Sequence, residues 1–255
     1  MQRFTSFDGT RISYHLWGEP DGDLPPVLLH HGFAATARID WELPGVVETL
    51  VGSGRHVVGI DARGHGESDK HHDASRCGEL TMARDVSALI DELAVPLVDL
   101  VGYSMGAVVA LITATREPRV RRLVVGGVGS GVVEVGGLDS RAVRSDAVIE
   151  ALTTDDPRTI TDPLAAGFRQ LADATGGDRL ALTAQLTASH RGGVALDGIT
   201  APTLVIAGDA DPFATRPEVL AGAVPGAKLL LVPGDHPGVL REPAFADAIA
   251  DFVNG

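Results

Sequence analysis

Short apolar runs alternate with longer stretches of helical periodicity through the first half of this chain. Continuous apolar runs of about 4–8 residues are typical of strands that are buried on both faces of a parallel sheet. We predict such strands at Pro26–His30, His56–Ile60, Leu97–Val101 and Arg122–Val125. Helices are predicted between them at Trp41–Val51, Thr81–Leu93 and Ser104–Arg116. The alternation of strand and helix indicates a parallel sheet with helices on both faces.

The two ends of the chain extend this sheet. Near the N-terminus, Arg3–Phe7 and Arg11–Trp17 alternate apolar and polar residues on either side of an Asp-Gly-Thr turn, which predicts an antiparallel hairpin. Near the C-terminus, the apolar runs Thr203–Ala207 and Lys228–Val232 predict two further strands, and a last helix is predicted at Ala244–Val253. The pattern as a whole predicts a mostly parallel sheet of eight strands.

The strand pattern stops between residues 129 and 197, where only helical stretches are found. These stretches lie near Ser140–Leu152, Pro163–Asp173 and Asp178–His190. A run of helices inserted into an alternating pattern is best explained as an addition to the sheet edge. We therefore predict a single domain whose core is formed by residues 1–128 and 198–255, with residues 129–197 as a small helical cap insertion.

Composition and charge narrow the possible functions. The 255 residues include 34 acidic and 21 basic side chains, a net charge of −13, which argues against binding to nucleic acid or to an anionic membrane surface. A single cysteine, Cys77, cannot form an internal disulfide. The first residues lack the apolar segment of a signal peptide, and no apolar run approaches the length of a membrane span. We expect a cytoplasmic protein that acts on a small molecule.

A candidate nucleophile lies in the sequence GYSMG at residues 102–106, which matches the pattern Gly-x-Ser-x-Gly. The motif follows the predicted strand Leu97–Val101 and opens the next predicted helix. In this strand–turn–helix context, the serine occupies a sharp turn with its hydroxyl exposed. The two glycines allow the helix to approach the strand closely, because a side chain would clash there. Ser104 is therefore the predicted nucleophile.

Four further loops, together with this turn, resemble the α/β-hydrolase superfamily over nearly the whole chain. They are HHGF at residues 30–33, DARGHGES at 61–68, GDADP at 208–212 and GDH at 234–236. The resemblance implies an α/β-hydrolase fold, a serine nucleophile and a catalytic triad in the chain order Ser, Asp, His.

The base and the acid of the triad are assigned from loop position and from this resemblance. His236 follows the last predicted strand, so it lies at the carboxyl end of the sheet, as Ser104 does. The loop at residues 208–212, here called the acid loop, contains two aspartates. The resemblance favours the later one, Asp211, as the partner of His236. Asp209 is the rival, which we interpret instead as a turn residue that bonds its own loop.

The resemblance also implies an oxyanion hole made of two backbone N–H groups, from Phe33 and from Met105. We expect His31 to be a structural hydrogen-bonding residue and not a base. No metal and no organic cofactor are implied, and no helical spacing of histidines supports a metal site. The side chains that bind the substrate are not predicted.

These residues favour hydrolysis of a carboxylic ester with a small or medium acyl group, through an acyl-enzyme on Ser104. Hydrolysis of a lactone or of a carbon–carbon bond, or perhydrolysis of the cofactor-free haloperoxidase type, would use the same triad and stays open. A ligand receptor that retains an inactive site is a further alternative, against which the intact set of motifs argues.

Overall fold

Eight strands form one sheet in the computed structural model, which describes residues 1–20 and 24–255. The strands are β1 (Gln2–Thr5), β2 (Arg11–Trp17), β3 (Val27–His30), β4 (Val57–Ile60), β5 (Val98–Tyr103), β6 (Val120–Gly126), β7 (Thr203–Gly208) and β8 (Lys228–Val232). Their order across the sheet is β1-β2-β4-β3-β5-β6-β7-β8. Strand β2 is antiparallel to β1 and β4, and the remaining neighbours are parallel. The predicted fold class is confirmed.

The helices of the described residues flank this sheet. They are α1 (Val46–Gly52), α2 (Glu79–Leu93), α3 (Met105–Ala114), α4 (Ser130–Glu134), α5 (Ser145–Thr153), α6 (Pro163–Ala174), α7 (Arg179–Thr187), α8 (Pro217–Ala223) and α9 (Pro243–Asn254). Helices α2 and α3 pack together, as do α1 and α9, and they belong to two separate apolar layers. Helix α8 was not predicted, although parallel strands such as β7 and β8 require a crossover connection of this kind.

The central strands are buried on both faces because their alternate side chains fill two cores. In β3, Leu28 belongs to the core that includes α2 and α3, whereas Val27 and Leu29 belong to the core that includes α1 and α9. All three side chains are at most 2% exposed. Burial of a Val or Leu side chain contributes about 1.5–3 kcal/mol, so both layers stabilise the strands whose ends hold the site.

The predicted helix Trp41–Val51 is interrupted. A π-helical turn spans Arg38–Glu42, and α1 begins only at Val46. Pro44 has no N–H with which to continue the helical hydrogen bonds, and Gly45 has a φ of 92°, which helical residues do not adopt. Trp41, which lies in the π-helical turn before the break, is fully buried.

Helices α4–α7 and no strand lie within residues 129–197, the segment predicted as an insertion. Helix α5 packs against both α6 and α7. Phe168 on α6 lies with its ring 5.6 Å from the ring of Phe33 and 6.0 Å from that of Phe213. This segment therefore contacts two loops at the carboxyl ends of the core strands. Among the described residues, no helix combines the length and the apolar character needed to cross a lipid bilayer.

Candidate active site

Ser104 occupies a sharp turn between the end of β5 and the start of α3. Its φ of 55° and ψ of −118° form a conformation that side-chain-bearing residues rarely adopt, at a cost of about 1–3 kcal/mol. Two glycines permit this turn. A Cβ at Gly102 would overlap the carbonyl group of Gly106, and a Cβ at Gly106 would overlap the carbonyl group of His30. The strained serine is thus held between closely packed backbone segments.

The three side chains of the predicted triad lie in one hydrogen-bonded chain. His236 Nε2 is 3.0 Å from Ser104 Oγ, and His236 Nδ1 is 2.8 Å from Asp211 Oδ2. A carboxylate can only accept, so Nδ1 carries the ring proton and Nε2 is free to accept the proton of the serine hydroxyl. The catalytic roles of these residues stay a prediction, but their geometry is that of a nucleophile, a base and an orienting acid.

The two aspartates of the acid loop, both candidates for the acid of the triad, have different contacts in the structure. The side chain of Asp211 is fully buried, and its second oxygen accepts a hydrogen bond from the backbone N–H of Phe213 at 2.8 Å. Asp209 instead accepts a hydrogen bond from the N–H of Gly234, 3.0 Å away. It thereby connects the acid loop to residues 234–236, here called the histidine loop. Only Asp211 contacts the ring of His236.

Two aromatic residues hold the imidazole of His236 in place. The ring of Phe213 lies 4.8 Å and the ring of Tyr103 5.2 Å from the imidazole, measured between centroids. The hydroxyl of Tyr103 donates a hydrogen bond to the backbone carbonyl of His236 at 2.6 Å. Burial raises the pKa of Tyr103 well above its ordinary value, so this phenol remains a neutral donor. The histidine loop is therefore fixed through its backbone as well as through its ring.

The predicted oxyanion donors lie in the turn at Ser104 and in the loop after β3. Neither the N–H of Phe33 nor that of Met105 donates a hydrogen bond to another group in the described parts of the chain. The loop passes close to the nucleophile, because a Cβ at Gly32 would lie 3.3 Å from the Cβ of Ser104. Both N–H groups are thus available to an incoming oxygen atom.

His31 ties this loop to the loop after β4. Its Nε2 accepts a hydrogen bond from the N–H of Ala62 at 3.0 Å, so its Nδ1 carries the proton and donates to the carbonyl of Gly32 at 2.7 Å. His65 lies beside it, with ring centroids 5.2 Å apart, and burial lowers the pKa of His65 to about 3. His31 has the structural contacts that the sequence predicted, and it does not reach Ser104 by a hydrogen bond.

Asp40 is a buried acid that the sequence analysis did not single out. Its Oδ2 accepts a hydrogen bond from the backbone N–H of Gly32 at 2.7 Å, directly before the predicted oxyanion donor Phe33. Burial raises the pKa of Asp40. In the sequence, only the neighbouring Trp41 hints that Asp40 is buried. The contact with Gly32 could not be predicted, because it depends on how the π-helical turn packs against the loop after β3.

A cavity of about 130 Å³ lies between the core and the helices of residues 129–197, and one of the residues that line it, Phe213, contacts the ring of His236. Phe33 and Phe213 line its inner wall, and Leu138, Val148 and Phe168 line the side formed by the helical segment. Glu79 at the start of α2 also faces the cavity. The described residues contain no group of three or more histidine, cysteine or acidic side chains arranged to hold a metal ion.

Comparisons with known proteins agree with this architecture. The sequence pattern of the alpha/beta hydrolase fold matches residues 25–130. Over 130 residues, the chain is 37% identical to a non-heme chloroperoxidase from Streptomyces lividans, an alignment that covers 49% of this chain and 44% of that protein. The alignments span less than half the length of each of the first curated relatives that the chain matches.

Two solved structures are similar over the full chain. A hydrolase from Pseudomonas aeruginosa PA01 superimposes with a TM-score of 0.79 and 25% identity, over 100% of this chain and 98% of that one. An esterase from Exiguobacterium antarcticum superimposes with a TM-score of 0.78 and 25% identity, over 99% of both chains. The matching sequence pattern, the eight-stranded sheet and these full-length similarities establish that the chain has the alpha/beta hydrolase fold.

Proposed function

We propose that this protein is a serine hydrolase that cleaves a carboxylic ester with a small or medium acyl group. The observation that carries the proposal is the continuous chain of hydrogen bonds from Ser104 Oγ through His236 to Asp211. A serine hydroxyl becomes an effective nucleophile only when a neighbouring base takes its proton. The similarity to an esterase over the full chain supports the same activity.

The first half of the proposed reaction acylates the enzyme. Ser104 Oγ attacks the ester carbonyl carbon while its proton moves to Nε2 of His236. The carbonyl oxygen becomes an oxyanion, which accepts hydrogen bonds from the free N–H groups of Phe33 and Met105. The bond between carbon and the alcohol oxygen then breaks, and His236 protonates the departing oxygen. Asp211 stabilises the imidazolium that exists between these two proton transfers.

The second half regenerates the free serine. A water molecule gives a proton to Nε2 of His236 and its oxygen attacks the acyl carbon on Ser104. The same two N–H groups hold the second oxyanion. Collapse of this intermediate breaks the bond to Ser104 Oγ, which recovers the proton from His236, and the carboxylic acid leaves. The water and the ester together account for every atom of the acid and the alcohol.

The helical segment 129–197 acts in this proposal as a cap over the site. Support comes from the contact of Phe168 with Phe33 and Phe213, which lie beside the oxyanion loop and beside His236. The cavity of about 130 Å³ beneath the cap suits the acyl group of the substrate. For comparison, an apolar cavity of about 150 Å³ in another protein binds benzene, so an acyl chain of about six carbon atoms is the appropriate size.

The test is hydrolysis of 4-nitrophenyl hexanoate by the wild type and by Ser104→Ala. The proposal predicts turnover by the wild type and a loss of about 10³-fold or more in kcat for Ser104→Ala. Ser53→Ala removes a hydroxyl from the exposed end of α1 and serves as the matched control, with unchanged activity. Full activity in Ser104→Ala, or no turnover of any aryl ester by the wild type, would contradict the proposal.

Perhydrolysis is the second candidate, because the chain is 37% identical over 130 residues to a protein named as a non-heme chloroperoxidase. In that reaction hydrogen peroxide replaces water as the nucleophile that attacks the acyl group on Ser104, and the product is a peracid. A comparison of acid and peracid formation from one ester, with and without hydrogen peroxide, separates the two reactions.

A further inference from the structure

A buried carboxyl group faces the cavity beneath the cap and has no charged partner. Glu79 is 3% exposed and lines the cavity wall together with residues of the helical segment. One of its oxygens, Oε2, accepts a hydrogen bond from the backbone N–H of His190 at 2.7 Å. No basic side chain of the described residues forms an ion pair with Glu79. A carboxylate has about four acceptor positions, so most of its acceptor capacity is unused.

The other charged groups that line the cavity have an ionic partner or lie in solvent. Asp139 forms an ion pair with Arg141 at 2.7 Å. Arg191 is exposed, so water can solvate its guanidinium group, which also reaches the hydroxyl of Ser145 at 3.4 Å. Burial lowers the pKa of His190, which keeps its ring neutral at pH 7. Glu79 is therefore the group in this cavity whose polar capacity is unsatisfied.

The position of Glu79 in its helix does not explain this burial. An acidic residue in the first turn of a helix is stabilised by the helix dipole, and an exposed side chain achieves this equally well. Burial instead carries a cost, since it raises the pKa of Glu79 to about 7 despite the N–H groups that oppose the shift. A buried group that is held at such a cost beside a candidate active site is a candidate for ligand recognition.

We propose that Glu79 determines the specificity of the site by accepting a hydrogen bond from a hydroxyl group at the far end of the acyl chain. The proposal rests on the proposed ester hydrolysis and names its substrate class, an ester of a medium-length hydroxy acid. The apolar part of the chain contacts Phe33, Phe168 and Phe213, which lie at the end of the cavity nearest the triad. The hydroxyl then meets the carboxyl group of Glu79.

This arrangement discriminates strongly between related acyl groups. A simple alkyl chain that filled the cavity would exclude water from Glu79 and leave unpaired the acceptor positions that His190 does not use. Sites built to hydrogen-bond a substrate hydroxyl reject the analogue that lacks it far more strongly than apolar pockets reject a missing methylene group. The hydroxy acyl ester is therefore the preferred substrate.

The experiment compares kcat/KM for 4-nitrophenyl hexanoate and 4-nitrophenyl 6-hydroxyhexanoate. We expect the wild type to prefer the hydroxy ester at least about tenfold, because the simple ester leaves a buried acceptor unpaired. Glu79→Leu should reverse this preference, whereas Glu79→Gln should keep most of it, because an amide oxygen still accepts. Glu48→Leu makes the same change at an exposed position of α1 and should leave the preference unaltered.

The pH dependence of the preference separates recognition from a purely structural role. Both esters depend equally on His236, so the ratio of their kcat/KM values cancels its titration. In the wild type the ratio should rise through pH 7 as Glu79 ionises, because an ionised acceptor forms the stronger hydrogen bond. In Glu79→Gln the ratio should not change with pH.

The outcomes distinguish this inference from the function on which it rests. Turnover of both esters by the wild type with equal kcat/KM overturns the role of Glu79 and leaves ester hydrolysis intact. Turnover of neither ester means that the proposed function itself has failed. A hydroxyl preference that survives in Glu79→Leu, with the fold checked by circular dichroism, also overturns the inference, because another group must then recognise the hydroxyl.

Discussion

Asp40 Oδ2 accepts a hydrogen bond from the backbone N–H of Gly32 at 2.7 Å. Asp40 lies in the π-helical turn Arg38–Glu42, and Gly32 lies in the loop after β3. This bond takes the N–H of Gly32 out of use and leaves the next N–H, that of Phe33, without a partner in the described residues. Asp40 therefore positions the oxyanion loop without contacting the reacting atoms.

Replacement of Asp40 by alanine should lower kcat/KM for an aryl ester by at least about tenfold. Complete loss of an oxyanion donor lowers kcat by about 10²–10³-fold, and a displaced loop should cause part of that loss. The loss should fall mainly on kcat, because the donor acts on the transition state. Asp40→Asn retains an acceptor oxygen and should stay within about threefold of the wild type. Equal activity in the wild type and Asp40→Ala would remove this role.

Asn substitutions at the two aspartates of the acid loop should have very different effects. Asp211→Asn leaves His236 without a carboxylate on Nδ1, and a related change in another triad lowers kcat by about 10⁴-fold. Asp209→Asn keeps an oxygen that can accept from the N–H of Gly234, so its activity should stay within about threefold. Steady-state kinetics on one ester measures both variants. A larger loss of activity in Asp209→Asn than in Asp211→Asn would show that Asp209, and not Asp211, is the acid of the triad.

Stability should fall with rising pH because of Glu79. Burial raises its pKa in the folded chain from 4.5 to about 7, so between these values the folded state holds a proton that the unfolded state has lost. Stability from this group is thus complete below pH 4.5 and is lost by pH 7, a change on the order of 3 kcal/mol at about 1.36 kcal/mol per pKa unit. Urea unfolding at pH 5 and pH 8 measures it. Glu79→Gln should lack this component, and an identical pH dependence in both proteins would contradict it.

The loop after β4 is held by a buried ion pair. Arg63 is fully buried, with Nη2 2.6 Å from Asp85 Oδ1 and Nη1 3.0 Å from Asp8 Oδ2. Arg63→Met would leave the buried carboxylate of Asp85 unpaired, and removal of one partner from such a pair costs about 3–5 kcal/mol. Arg158→Met is the matched control, because the Arg158 side chain is 88% exposed and its pair with Asp156 should contribute little. Chemical unfolding compares the two. Equal losses in the two variants would contradict the distinction.

The strands and the sharp turn at Ser104 could be predicted because their signals are local. Apolar runs in β3–β7 and the glycines on either side of Ser104 are fixed by burial and by close backbone approach, which nearby residues reveal. The helix predicted at Trp41–Val51 starts five residues too early, because Pro44 and Gly45 break the helical backbone before Val46.

Asp40 and Glu79 could not be predicted because their environments depend on tertiary contacts. Glu79 is buried by a segment that includes His190, which lies 111 positions further along the chain. The sequence gives no sign of this burial, because a glutamate in the first turn of a helix is ordinarily exposed to solvent. The triad residues are also separated in the sequence, Ser104 by 132 and Asp211 by 25 positions from His236, and they could be predicted only because their loops carry recognisable motifs.

Covalent labelling shows whether His236 activates Ser104 as a nucleophile. The folded wild-type protein is treated with a fluorophosphonate, which reacts with a serine only when a base activates it, and the adduct is located by mass spectrometry of peptides. We expect one adduct, on Ser104, that forms at least about 10³-fold more slowly in a His236→Ala variant. An unlabelled Ser104 in folded protein, or an adduct on a different serine, would contradict it.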